Sequence, residues 1–287
     1  MLDASINGKT GVLGIIGSPV SHSFSPVIHN TISKLVGNNL TYVPFDVKPQ
    51  NIADAVKGAY ALGVAGFNVT VPHKQAVMPH LHEVDDAALH IGAVNTLKYT
   101  ANGYIGYNTD FIGLKAALDG ANIPLGGQNV IIVGAGGGAY AAAMLAAAEG
   151  ALNVSILNRT VENALALKAQ IEANYSVSVS VLNAADARCI NANVAIQTTS
   201  VGMNSDVSPV DESFFDGISH AVDIIYTPWE TKFLKDAKKS CCNVLNGFDM
   251  LFYQAVAAYE IWTDLKIAKE QLSELKKLLE QAFRNGN

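Results

Sequence analysis

The sequence predicts an α/β protein of two domains with mostly parallel sheets. Three observations carry that prediction. Apolar runs of period two alternate along the chain with runs of helical period. The 287 residues suffice for two domains of ordinary size. In the middle of the chain a glycine turn, "VGAGGGA", joins an apolar strand to a helix. The composition, 49% hydrophobic and 15% charged, belongs to a folded globular chain and not to a disordered one.

The elements follow in order. Strands are read at 11–17 ("GVLGIIG"), 40–47, 66–71 ("GFNVTV") and 93–100, then at 129–134 ("NVIIVG"), 153–158, 177–182, 194–199 and 220–226. Ser25 reads as an N-cap, with Pro26 in the first turn of a helix over 26–37. A second helix over 51–63 stops on Gly63. Residues 161–175 carry a helical stripe at Ala164, Leu165, Leu167 and Ile171. One hairpin interrupts the alternation, turning at Ala101-Asn102-Gly103. The chain ends in two helices, 249–265 and 266–283, and its composition shifts near Gly126-Gly127, a candidate domain boundary.

Several function classes are excluded. A net charge of -6 argues against a nucleic-acid partner. No apolar run is long enough to span a bilayer, and the most apolar helix candidate, "AYAAAMLAAAEGA", is closed by Glu149 and Gly150. The first ten residues lack the basic-then-apolar order of a signal peptide, so none is read. Cys189, Cys241 and Cys242 are odd in number and lack metal spacing, so they read as reduced thiols in the cytoplasm. His80, His82 and His90 do not make a metal site. On a helix, positions i and i+2 point apart, and no second ligand cluster supports them.

The glycine turn selects a ligand. Gly134, Ala135, Gly136, Gly137, Gly138 and Ala139 give G-x-G-x-x-A between an apolar strand and a helix. Gly134 permits the tight turn, Gly136 lets the backbone approach a pyrophosphate, and Ala139 lets the helix pack closely on the strand. The helix start offers free N–H groups and a positive dipole end to the phosphates. An NAD site usually carries an Asp or Glu at the end of the next strand. Here stand Asn158, Arg159 and Thr160, with Glu162 beyond them. A guanidinium and a hydroxyl suit a 2′-phosphate, so the cofactor is read as NADP.

Lys74 closes the stretch "GFNVTVPHK", an apolar strand stopped by a proline. It reads either as a solvated loop lysine or as an acid/base or anion-binding group held on a rigid element. Other polar clusters, "SHSFSP", "GAVNT" and "GYNTD", also precede the glycine module, and "NGFDMLFYQA" follows it. In this order, around a G-x-G-x-x-A module ending in "NRT", they closely resemble the shikimate dehydrogenase family over nearly the whole chain.

That resemblance implies a substrate-binding α/β domain at 1–112 and a Rossmann-type NADP-binding domain at 113–246. The C-terminal helices, 247–287, would return to the substrate domain, and the active site would lie in the interdomain cleft. It implies that Ser23 and Ser25 hold the substrate carboxylate and that Lys74, beside Asp110, is the catalytic acid/base. Thr70, Asn95, Asp110, Tyr226 and Gln254 become further substrate contacts. Gly247 would meet the nicotinamide amide, Ile224 and Met250 would line its pocket, and Asp86 is a weaker candidate near the cofactor. The implied reaction is the reversible NADPH-dependent reduction of 3-dehydroshikimate to shikimate, in chorismate and aromatic amino acid biosynthesis. Monomer and homodimer both stay open.

The chain departs from the family pattern at Phe111 in "NTDF", at Asn163 in "NRTVEN", at Tyr140 after the glycine loop and in "QTTSVGM". None of these removes a catalytic group. Three rivals are weighed: a quinate/shikimate enzyme using NAD, a non-catalytic NADP-binding regulator, and a folate-linked dehydrogenase of similar architecture. Both serines favour shikimate over quinate. Lys74 and Asp110 argue against a regulator, and the set of hydroxyl-binding clusters argues against the folate enzyme.

Overall fold

The computed structural model describes residues 6–183 and 191–285, so Cys189 and the first residues of the chain lie outside the described residues. Two compact units emerge. Unit 1 runs to Thr109 and resumes over Gln254–Gln281; unit 2 takes Asp110–Tyr253 and the chain from Ala282 onward. Gly126-Gly127 falls inside unit 2.

Unit 1 is built on β1 (Gly11–Gly17), β2 (Leu40–Asp46), β3 (Gly66–Val69), β4 (Glu83–Val84), β5 (Thr96–Thr100) and β6 (Gly103–Tyr107). They form one sheet in the order β2-β1-β3-β5-β6-β4. β1 runs parallel to β2 and β3, while β5 is antiparallel to both β3 and β6. Pro44 lies in β2, an edge strand, where a missing ladder N–H is tolerated. The β5–β6 hairpin closes at Thr100↔Gly103, and Gly103 sits at φ +140, a conformation that favours glycine. Helices α1 (Ser25–Val36), α2 (Ile52–Ala61), α3 (His73–Ala76) and α4 (Asp86–Ile91) complete this part of the chain. Ser25 is not the N-cap of α1. Phe24 holds that place, and Ser25 and Pro26 already lie in the first turn. Ser25 N–H instead donates to Ser23 Oγ at 3.2 Å.

Unit 2 is built on β7 (Asn129–Val133), β8 (Asn153–Leu157), β9 (Ser178–Leu182), β10 (Val194–Gln197), β11 (His220–Asp223) and β12 (Asn243–Leu245). Their order is β12-β11-β10-β7-β8-β9, and every pair is parallel. This is the doubly wound order of dinucleotide-binding sheets, and it reverses between β7 and β10. Ile131, Ile132, Ala195 and Ile196 are fully buried, as expected for central strands covered on both faces. Helices α5 (Thr109–Gly120), α6 (Gly137–Ala148), α7 (Val161–Asn174) and α8 (Lys232–Lys239) punctuate these strands. Then come α9 (Phe248–Thr263) and α10 (Lys269–Asn285). The shared strand direction brings the six carboxyl ends to one edge, where ligands bind in such sheets. No described helix is long and apolar enough to cross a membrane.

Candidate active site

In unit 1, register gathers the polar clusters. β1 and β3 are parallel neighbours with Ile16 opposite Val69, so the segments after them leave the same edge. One carries Ser23 and Ser25; the other carries Thr70 and, in α3, Lys74. Thr70 N–H donates to Ile16 O at 2.9 Å. β5 runs antiparallel to β3, which brings its entry residue Asn95 to that edge, and Val69 N–H donates to Asn95 O at 2.8 Å. β6 ends at Tyr107, opposite Thr96, so Asn108 and Thr109 arrive there too. Asp110, the first residue of unit 2, follows in the chain, buried in the first turn of α5.

A hydrogen-bonded polar cluster forms around Asn95. Asn95 Oδ1 accepts from Thr109 N–H at 2.7 Å, Thr109 Oγ at 3.1 Å and Thr96 Oγ at 3.0 Å. Its carboxamide N–H groups are left as the donors it can offer a ligand. Thr109 Oγ also meets Gln254 Oε1 of α9 at 3.5 Å. Behind Asn95 lies Asn68 on β3. Its Nδ2–H groups donate to Asn95 O and Thr96 Oγ at 3.3 and 3.2 Å, and its Oδ1 accepts from Tyr42 OH at 2.8 Å. Such a buried network is rigid because each member needs its partners. Lys74 is half-buried, and its backbone carbonyl accepts from Val94 N–H at 2.8 Å, which ties α3 to the Asn95 segment.

Two buried histidines flank this edge. His29, one helical turn after Ser25, is fully buried and stacks on Tyr42 at 4.4 Å between centroids. Burial pushes its pKa down to about 3, so the ring is neutral at ordinary pH. His73, directly before Lys74, is fully buried with Nε2 2.6 Å from Val47 O. That bond anchors α3 to the chain after β2.

In unit 2 the glycine loop leaves β7 and the Asn158–Thr160 segment leaves β8, with Val133 opposite Leu157. Gly134 sits at φ +118, and its N–H donates to Leu157 O at 2.8 Å. A Cβ on Gly134 would lie 2.5 Å from Thr198 Oγ. One on Gly138 would lie 2.8 Å from Ile224 Cδ1. Gly136 is different. Its φ of -90 suits any residue, and a Cβ there would meet nothing within 4 Å. The fold itself does not require glycine at that point, whereas a closely approaching pyrophosphate does. The N–H groups of Gly136, Gly137 and Gly138 at the start of α6 have no partner among the described residues. These features fit a dinucleotide.

Arg159 and Thr160 are exposed after β8. Neither side chain has a hydrogen-bonding or ionic partner among the described residues, while Asn158 Nδ2–H donates to Thr160 O at 2.8 Å. Ile224 leaves β11, and Gly247 follows β12. A Cβ on Gly247 would lie 2.0 Å from Ile224 O, so only glycine allows that contact. Met250 is buried one turn further on, and Tyr226 is half-buried. Asp223 anchors this corner: its carboxylate accepts from Ile225 N–H at 2.9 Å and Thr231 Oγ at 2.6 Å. Burial raises the pKa of Asp223 to about 6. Asp86 lies in unit 1, exposed on the first turn of α4. Among the described residues no cluster of His, Cys, Asp or Glu could hold a metal ion.

Two features were missed from the sequence. Asn68 supports Asn95, and its signal is an amide within the apolar strand "GFNVTV". Gln197 ends β10, and Thr198 and Thr199 follow it beside the glycine loop. Gln197 Oε1 accepts from Thr199 N–H, and Thr198 Oγ donates to Val133 O at 2.8 Å. A polar run after a buried strand at the reversal of the sheet was the available clue.

Comparison with known proteins agrees with both halves. Residues 15–97 match the family model of the shikimate dehydrogenase substrate binding domain, and residues 117–205 match that of shikimate / quinate 5-dehydrogenase. The chain is 43% identical over 268 residues to the shikimate dehydrogenase (NADP(+)) of Methanocaldococcus jannaschii, covering 91% of this chain and 94% of that one. A solved shikimate dehydrogenase in complex with NADP+ superposes with a TM-score of 0.84 at 41% identity, over 94% of this chain and 96% of that one. A Thermus thermophilus shikimate 5-dehydrogenase solved with NADP(H) and shikimate gives 0.82 at 31% identity, over 93% and 99%.

Proposed function

Because the chain belongs to the shikimate dehydrogenase family, we propose that the polar edge of unit 1 binds the substrate and the glycine loop of unit 2 holds NADP. The activity is NADP-dependent oxidoreduction at a CH–OH group, the reversible reduction of 3-dehydroshikimate to shikimate in chorismate and aromatic amino acid biosynthesis. Bound NADPH supplies the hydride. The chain itself must bind the substrate, orient it and deliver a proton to the ketone oxygen.

Ser23 and Ser25, at the start of α1, hold the carboxylate. Thr70, the Asn95 carboxamide and Gln254 bind ring hydroxyls, and Tyr226 supplies the remaining contact. Lys74 gives the proton to the carbonyl oxygen or steadies the developing alkoxide, where its charge has most effect. Asp110 orients the lysine and accepts from the neighbouring substrate hydroxyl. In unit 2 the loop Gly134–Gly138 takes the pyrophosphate, Arg159 and Thr160 take the 2′-phosphate, and Ile224, Gly247 and Met250 surround the nicotinamide. Asp86 is a further contact near the cofactor. Both serines favour shikimate over quinate. We place the enzyme in the cytoplasm, with Cys241 and Cys242 as free thiols, and as a monomer or homodimer.

The observation that carries this reading is the register of unit 1, which brings Ser23, Ser25, Thr70, Lys74 and Asn95 to one edge. Lys74→Ala tests it. The variant should lose about 10²–10⁴ in kcat, the usual worth of a positioned acid/base, with NADP affinity unchanged. Lys74→Arg should rescue little, because a guanidinium does not release a proton near neutral pH. A folded alanine variant keeping more than about a tenth of wild-type kcat would return Lys74 to a solvated loop role.

A further inference from the structure

Four aromatic rings and one guanidinium from three distant segments meet around the loop that follows β11. Tyr226 and Trp229 lie in that loop. Phe248 opens α9 directly after Gly247, and Phe283 and Arg284 lie in the last turn of α10. Phe283 is buried, with its ring edge-on to Tyr226 at 5.6 Å and to Phe248 at 5.2 Å. Phe248 is buried as well and tilts against Trp229 at 5.5 Å. The Arg284 guanidinium stands 4.5 Å over the Trp229 ring. Asn246 closes the group: its Nδ2–H donates to Trp229 O at 3.0 Å, and its Oδ1 accepts from Phe248 N–H at 3.2 Å.

The consequence is mechanical. A half-buried tyrosine on a loop keeps a fixed hydroxyl position only if its ring is packed. Phe283 supplies an edge-to-face contact, a geometry that restrains ring orientation as well as burying area. The same phenylalanine packs on Phe248, next to Gly247. One buried side chain at the end of the chain therefore touches both the Tyr226 ring and the start of the helix that follows Gly247.

We infer that Phe283 is a positioning residue for the Tyr226 hydroxyl, acting on substrate affinity without touching substrate. The inference rests on the reading of Tyr226 as a substrate contact. Phe283→Leu keeps an apolar group in the site but removes the ring edge. It should raise KM for shikimate about 3- to 10-fold with kcat changed by less than about twofold, the scale of a lost aromatic pair. NADP affinity, read by fluorescence without substrate, should stay within about twofold. Phe283→Tyr keeps the ring and should restore KM to near the wild-type value.

The deciding measurement is a double-mutant cycle with Tyr226→Phe. The two KM effects should not multiply, because both act through one hydroxyl. Multiplying effects would overturn the inference, as would a wild-type KM in Phe283→Leu when Tyr226→Phe alone raises it. An unchanged KM in Tyr226→Phe alone would overturn the substrate-contact reading itself, and the inference with it. If the leucine variant does not fold, Phe283→Met carries the same cycle with the same outcomes.

Discussion

At the residue scale, the proposed function gives the choice of cofactor to Arg159. It is exposed at the end of β8, and no carboxylate stands at Asn158 to bind a free ribose hydroxyl. Arg159→Ala should weaken NADP binding by one to two decades, since a charge-assisted hydrogen bond contributes roughly 1.5–3 kcal/mol. NAD binding should barely change. Titrating the variant with both cofactors checks this, and equal weakening of the two would mean general damage and not a lost phosphate contact. The place of Arg159, exposed after β8, was legible in the sequence because it is fixed by one strand end and one glycine turn. Asn68 was less so. It sits in an apolar strand like many structural amides, and its meaning lies in partners on other strands, Tyr42 and Asn95. The capping of α1 was misread for a similar reason. Ser25 before Pro26 has the residue type of a cap, and only the backbone path shows it inside the helix with Ser23 Oγ receiving its N–H.

Elements with a strong period were legible almost to the residue. "GVLGIIG" is β1 and "VENALALKAQIEAN" is α7. Glu83–Val84 and Asn243–Leu245 were not read as strands because two or three residues show no period, and only their neighbours β6 and β11 make them so. β3 stops at Val69, earlier than the apolar pattern of "GFNVTV", because Thr70 and Val71 already belong to the turn that leads to Lys74. The glycine loop permits a test at this scale. Gly134→Ala should lower stability by about 1–3 kcal/mol, because φ +118 strains any side chain and Thr198 crowds the site. Gly136→Ala should cost under about 1 kcal/mol of stability, since its backbone is ordinary and a Cβ meets open space. It should nevertheless reduce NADP affinity at least about tenfold if the pyrophosphate approaches there. Thermal melts paired with cofactor titrations separate the two. A Gly136→Ala protein that binds NADP normally would place the pyrophosphate elsewhere.

For the whole molecule, the α/β class and the presence of a dinucleotide-binding half followed from the alternation of elements and one glycine turn. The pairing of strands did not. Nothing local tells β3 to lie parallel to β1 and antiparallel to β5, yet that register is what brings "SHSFSP", "NVTVPHK" and "GAVNT" to one edge. Proximity between clusters about 20 to 70 residues apart is a property of the sheet, and the sequence carried it only through family resemblance. The central claim is that this edge and the glycine loop together reduce a hydroxylated cyclic ketone with NADPH. Initial rates at 340 nm, with shikimate or quinate each paired with NADP or NAD, test it most directly. Shikimate with NADP should give the highest kcat/KM, by at least about tenfold over any other pairing, the advantage of roughly one charge-assisted contact. A higher kcat/KM with quinate or with NAD, or no turnover of shikimate by the folded protein, would contradict it.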